Sequence, residues 1–204
     1  IVGLVGISRD VTLRKLDEER VRHLAYHDQL TGLANRAYFE VMLKQAVERR
    51  HPGYLLFVDL DGFKHHNDNH GHAAGDDLLR QVGERLSALA GPQGFVSRMG
   101  GDEFAIILDG SRALAASCNA IARALGATFQ LVDKTANIGA SIGAASIAMA
   151  PSASEALRRA DIALYAAKAG GRGHWRQFET EMAVVLERRL RLQEELKASV
   201  GTAD

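Results

Sequence analysis

One cysteine, Cys118, stands in a chain of 204 residues. A disulfide within the chain is therefore impossible, and a zinc site built from cysteines has only one ligand to draw on. Such sparing use of cysteine fits a reducing compartment. Charge of one sign is not in excess either: 25 Lys+Arg balance 25 Asp+Glu. That argues against a dedicated binder of nucleic acid or of an anionic membrane, which would carry a basic surplus. No apolar run approaches the roughly 18 residues that a membrane-crossing helix needs. The chain opens at Ile1 with neither Met nor a signal peptide, so the expectation is a piece of something longer. What is there is 47% hydrophobic and 25% charged, the make-up of an ordinary globular domain. The length allows one domain with extensions.

Ile1 to Ser8 reads as a strand that cannot bury itself, hence as the tail of a neighbouring domain. Asp10 or Thr12 can cap a charged helix from Leu13 to Tyr26. Its thin stripe of Leu13, Leu16, Val21 and Leu24 suits either a solvated linker or a short coiled coil that holds two copies together. Asn35 is a natural N-cap for a helix to about Arg50, which Pro52-Gly53 stops. Tyr54 to Asp59 is a continuous apolar run, as expected of a strand covered on both faces. A polar stretch, Lys64 to His72, precedes an amphipathic helix over Gly75–Leu89. Phe95–Met99 and Phe104–Leu108 flank Gly100-Gly101-Asp102-Glu103 and predict a hairpin. A helix over Arg112–Leu125 comes next, then Thr128–Val132 and Ala136–Ala148 as a strand pair. Gly139 and Gly143 in the second of these predict close packing by a neighbour. A helix over Ser154–Ala169 ends at Gly170-Gly171, a short strand spans His174–Phe178, and a charged helix runs from Glu179 to about Ser199. This alternation argues for an α/β or α+β sheet with helices packed on it.

Two acidic spots carry the chemistry. Asp59 and Asp61 close a buried strand, and Asp102 and Glu103 sit at the hairpin tip. A rigid strand that ends in carboxylates is a way to place magnesium ligands. If the strand pairs beside the hairpin, Asp59 and Glu103 converge on one or two divalent ions, the device of phosphoryl and nucleotidyl transfer. Solvated turn carboxylates are the plainer reading. Asn67 and Asp76 flank a Gly-rich turn; an acid that accepts from guanine N1–H and its 2-amino group, beside an amide, suits a guanine reader. Turn and helix-cap roles compete with that. Lys168 on the last turn of a helix and Arg172 after two glycines suit triphosphate oxygens or simple helix-end electrostatics. Four histidines crowd into His65–His72, which invites zinc or iron. The flanking glycines predict a loop with no His-x-x-x-His on a helix, so a histidine metal site is set aside.

Together these segments resemble the GGDEF domains, the diguanylate cyclases. The resemblance rests on Arg98-Met99-Gly100-Gly101-Asp102-Glu103-Phe104, on Asp28-Gln29-Leu30-Thr31-Gly32-Leu33-Ala34-Asn35-Arg36, and on Asp59-Leu60-Asp61-Gly62-Phe63-Lys64. Asn67-Asp68, Gly71-His72, Gly75-Asp76 and Ala160–Lys168 with Gly171-Arg172 extend it, in order, from Tyr26 to Phe178. It implies an α+β fold like the core of class III nucleotidyl cyclases: a central, mostly antiparallel sheet surrounded by helices. It implies condensation of two GTP into cyclic di-GMP and two pyrophosphates by a homodimer, in the bacterial cytoplasm. Asp59, the Leu60 carbonyl, Asp102 and Glu103 would hold Mg2+ or Mn2+, with Asp102 as base for the 3′-hydroxyl and Glu103 as ligand. Asn67 and Asp76 would read guanine; Lys64, Lys168 and Arg172 would meet phosphates; His72 would border the nucleotide. Residues 28–178 would be the cyclase domain. Residues 1–12 resemble the end of a PAS-like sensor, 13–27 a linker helix, and 179–204 a helix leading toward an EAL-like phosphodiesterase. A regulatory GTP-binding module controlling such a phosphodiesterase is the alternative. The pattern is broken at His66, at Gly173, and at Gly91 and Gly94, where the family's product-inhibition site has Arg and Asp.

Overall fold

The computed structural model describes residues 24–132 and 134–200. The strand expected over Ile1–Ser8 and most of the helix expected over Leu13–Tyr26 lie outside them. The elements in order are α1 (Arg36–Glu48), β1 (Tyr54–Asp61), α2 (Phe63–His70), α3 (His72–Ala90), β2 (Phe95–Gly100), β3 (Glu103–Leu108), α4 (Leu114–Gly126), β4 (Phe129–Gln130), β5 (Thr135–Ala136), β6 (Gly139–Ser146), α5 (Ala153–Ala169), β7 (Trp175–Gln177) and α6 (Thr180–Val200). Five strands form one sheet in the order β2-β3-β1-β6-β7, antiparallel except for the β6–β7 pair. This is the α+β architecture, with a mostly antiparallel centre, that the sequence implies. Among the described residues no helix is long and apolar enough to cross a membrane.

Strand alternation divides the core into two layers. Leu56, Val58 and Leu60 of β1, with Phe104, Ile106 and Leu108 of β3, pack under α3 and α4. Leu55 of β1, Ala105 and Ile107 of β3 and Ala145 of β6 pack under α1 and α5. Phe39, Phe104 and Phe129 are fully buried, each worth about 1.5–3 kcal/mol of apolar transfer. Local chemistry starts the helices of the second layer: Asn35 accepts from the Tyr38 amide at 3.0 Å, and Ser152 from the Glu155 amide at 3.1 Å. At Gly143 the backbone of α5 comes so near that a Cβ would meet Ala160 O and Leu164 N. The close neighbour expected at Gly143 is thus α5, whereas a Cβ on Gly139 would meet Asp61 Oδ2 of β1 at 3.2 Å.

Two expectations need correcting. The polar stretch after β1 is a helix, α2, and not a loop: Gly62 turns the chain at φ +81, and Phe63, only 9% exposed, anchors the helix in the core. Residues 128–148 are not one strand pair. β4 pairs only with β5, and Gly139–Ser146 joins β1 in the main sheet. Side chains of α3 hold the small ribbon in place: Gln81 donates to Gln130 O at 2.7 Å, and the Arg85 guanidinium lies 3.5 Å from the Phe129 ring centre.

Candidate active site

The acids meet where β1 ends and β3 begins. Asp59 is the register partner of Glu103 on one side and of Ser141 on the other. Both carboxyls share the sheet face covered by α5, since Phe57 and Leu55 alternate onto that face behind Asp59. The Gly100-Gly101-Asp102 turn folds over the strand end, with Leu60 N donating to Asp102 O at 3.3 Å. Arg98 fastens that turn. Its Nε and Nη2 donate to Gly101 O at 3.0 and 2.8 Å, and its Nη1 to both Asp28 carboxylate oxygens at 3.1 and 3.2 Å. Burial works against the Asp28 charge, but hydrogen bonds from Thr31 and Arg98 outweigh it and hold this carboxyl below its ordinary range.

Lys168, on the last turn of α5, places Nζ 2.7 Å from Asp59 Oδ2. Burial nevertheless pushes the Asp59 carboxyl up; Lys168 opposes the shift, and the charges of Asp102 and Asp61 add to it. Glu103 is pushed up too, first by burial and then by Asp59 and Asp102, with Asp161 a smaller contributor. The corner therefore carries more negative charge than Lys168 neutralises. Among the described residues no three of His, Cys, Asp or Glu gather closely enough to hold a metal by themselves. The donors are hard oxygens, and Mg2+ is commonly held by one or two carboxylates plus substrate phosphates rather than by an all-protein cage. Two crowded, under-neutralised carboxylates fit that pattern.

The structure gathers Asp59, Asp102, Glu103 and Lys168 and brings Arg172 to the edge of the group, its Nε 3.9 Å from Asp61 Oδ1. Asn67, Asp76, Lys64 and His72 belong to a second group on α2 and α3. Asn67 Oδ1 is shut from solvent with no hydrogen-bond partner and lies where a Cβ on Gly75 would stand. Asp76, the next residue, is exposed, as are Lys64 and His72. Sequence reasoning missed the fastening around Asp61. Its carboxylate accepts from Ser141 Oγ at 2.8 Å and from Gly173 N at 2.9 Å, tying the loop that bears Arg172 to the sheet. The period-two spacing of Asp59 and Asp61 was the available signal. Asp161, part of the motif behind the resemblance but given no role there, lies seven residues before Lys168 on the same helical side and adds a small upward push on Glu103. At the expected product-inhibition turn, Gly91 has φ +71, and a Cβ on Gly94 would stand 2.6 Å from Ala90 Cβ and 2.7 Å from Ala90 O. An Asp there would force the turn to move.

The model of the family "Diguanylate cyclase, GGDEF domain" matches residues 25–174. The chain belongs to that family. It is 37% identical over 191 residues to the probable diguanylate cyclase DgcE of Escherichia coli K12, covering 89% of this chain and 17% of the relative. It is 38% identical over 176 residues to the cyclic di-GMP phosphodiesterase PdeB of Shewanella oneidensis, covering 84% of this chain and 20% of the relative. The chain thus spans about a fifth of the length of these two relatives. The solved GGDEF domain of TpbB from Pseudomonas aeruginosa superposes with a TM-score of 0.73 at 35% identity, covering 79% of this chain and 99% of that one.

Proposed function

We propose that residues 28–178 form a diguanylate cyclase domain that condenses two GTP into cyclic di-GMP and two pyrophosphates, paired face to face with a second copy. The observation that carries this is Asp59 opposite Glu103 across β1 and β3, with Lys168 on Asp59. Each new ester forms when the 3′-oxygen of one nucleotide attacks the α-phosphorus of the other. The bond to the β-phosphate breaks, pyrophosphate leaves, and the hydroxyl proton passes to a base. Asp102 is assigned as that base. Asp59, the Leu60 carbonyl, Asp102 and Glu103 would hold Mg2+ or Mn2+, which neutralises phosphate charge and polarises the phosphoryl group. Lys64, Lys168 and Arg172 grip phosphate oxygens. Asn67, with its unpartnered Oδ1, and Asp76 read guanine, and His72 borders the nucleotide. Residues 13–27 and 179–204 link the domain to a PAS-like sensor, ending in 1–12, and to an EAL-like domain.

Incubation with GTP and Mg2+, followed by chromatography, tests the assignment. Asp59→Ala and Glu103→Ala should each lower the rate by at least about 10²–10³, the scale of losing a central electrostatic stabiliser. Wild-type rates in either variant would overturn it. The likeness to a phosphodiesterase supports one other reading, a GTP-binding module that regulates an attached hydrolase. GTP binding by calorimetry with no cyclic product would favour that reading.

A further inference from the structure

The histidine-rich stretch lies on a helix, and that changes what it can do. His66 and His70 are one turn apart on α2, with ring centres 4.8 Å apart and planes tilted by 59°. Imidazoles that share one ion in tetrahedral geometry, each nitrogen about 2.0–2.1 Å from it, have ring centres about 5 Å apart. We propose that His66 and His70 form a chelating site for a transition-metal ion such as Zn2+, Ni2+ or Cu2+, separate from the carboxylate corner.

Four observations support the pair. Residues four apart on a helix share a face, the geometry by which two histidines on one helix bind zinc. His66 Nε2 is shut from solvent and has no hydrogen-bond partner; a polar atom left in that state costs free energy, and an ion shared with His70 would give the ring a partner. His70 is exposed, which opens an entry path. Burial, then the charges of His70 and Lys134, hold the His66 imidazolium below its ordinary pKa, so the ring stays in the neutral form that ligates.

The neighbouring histidines are placed differently. His65 Nε2 is engaged with Asn69 Nδ2 at 2.9 Å, and His72 lies past Gly71 at the start of α3. The two imidazoles leave open positions for water, because no third side chain of the ligating types joins them among the described residues. The Lys134 ammonium, close enough to act on His66, moderates the affinity. Imidazole selects zinc, nickel and copper, whereas magnesium prefers oxygen. The ion would staple the last turn of a short helix that also bears Lys64 and Asn67.

The test uses the untagged chain of 204 residues in millimolar Mg2+. Zn2+ is titrated by calorimetry, and Cu2+ is followed by electron paramagnetic resonance. One ion per chain is expected, with a two-nitrogen splitting pattern. His66→Ala and His70→Ala should each weaken binding at least about tenfold, since removing even a ligand's hydrogen-bond partner costs 10–100-fold, while His65→Ala and His72→Ala stay within about twofold. His66→Gln, of similar size, guards against a folding artefact, which circular dichroism checks. Binding that ignores residues 66 and 70, that falls equally in the His65 and His72 variants, or that Mg2+ abolishes would overturn the site.

Discussion

At Glu103 the charge that the proposed function needs works against the stability of the fold. Its folded carboxyl titrates above its ordinary range because it is partly buried beside Asp59 and Asp102. The folded state therefore holds this proton more tightly than the unfolded chain does. As pH rises from below the unfolded pKa through the folded one, the folded state loses stability, and the ionised group is a cost at neutral pH. Asp59 has the same sign, tempered by Lys168. Glu103→Gln should therefore raise the melting temperature at neutral pH without divalent ions, by about 1–3 °C for a domain of this size. The gain should vanish in acid, where both states are protonated. On the proposed assignment the same variant should also lose cyclase activity, because the crowded carboxylates would hold the cation. Calorimetry across pH reads the effect; a lower melting point at neutral pH would show that Glu103 is better partnered than its surroundings indicate.

At the scale of elements, Gly143 is where the sheet and α5 touch without a side chain between them. Gly143→Ala puts a Cβ against Ala160 O and Leu164 N, both backbone atoms that cannot swing away. The expected loss is about 1–3 kcal/mol, the usual cost of overpacking a tight core. Urea unfolding measures it, and because α5 carries Lys168, KM for GTP should rise as well. A neutral result would mean that α5 can back away from β6. This contact was foreseeable, because a glycine inside a strand marks close approach. The β2–β3 hairpin, α1 with its Asn35 cap and the facing of Asp59 by Glu103 were also legible, since local pattern or a motif writes each of them. The α2 helix was not: three His and two Asn among its eight residues are poor helix formers. Packing of Phe63 overrides that preference. Nor was the split of residues 128–148, because β6 finds its partner in β1, far back along the chain. Asp61 with Ser141 and Gly173 was hidden for the same reason, the three groups being distant in sequence and joined only by the fold.

At the scale of the whole molecule, the described residues of one chain present the Asp59–Glu103 corner once, and the proposed product has two phosphodiester bonds. Each bond needs the hydroxyl of one nucleotide at the phosphorus of the other. On the proposed mechanism a single corner activates one nucleotide, so two domains would have to meet with their Asp59–Glu103 ends facing. An isologous pair solves this by symmetry, each copy serving the same role for its partner. Nothing in such a scheme lets an isolated domain turn over. Where pairs are scarce, their concentration follows the square of the protein concentration by mass action, so doubling the protein should raise the initial velocity about fourfold. At high concentration, once most chains are paired, velocity should become proportional to protein. Steady-state rates over a dilution series, with sedimentation velocity on the same samples, trace both regimes. The crossover in rate should coincide with the monomer–dimer midpoint. Velocity strictly proportional to protein in samples that sediment as monomer would sink the paired mechanism, even with the carboxylates confirmed as essential.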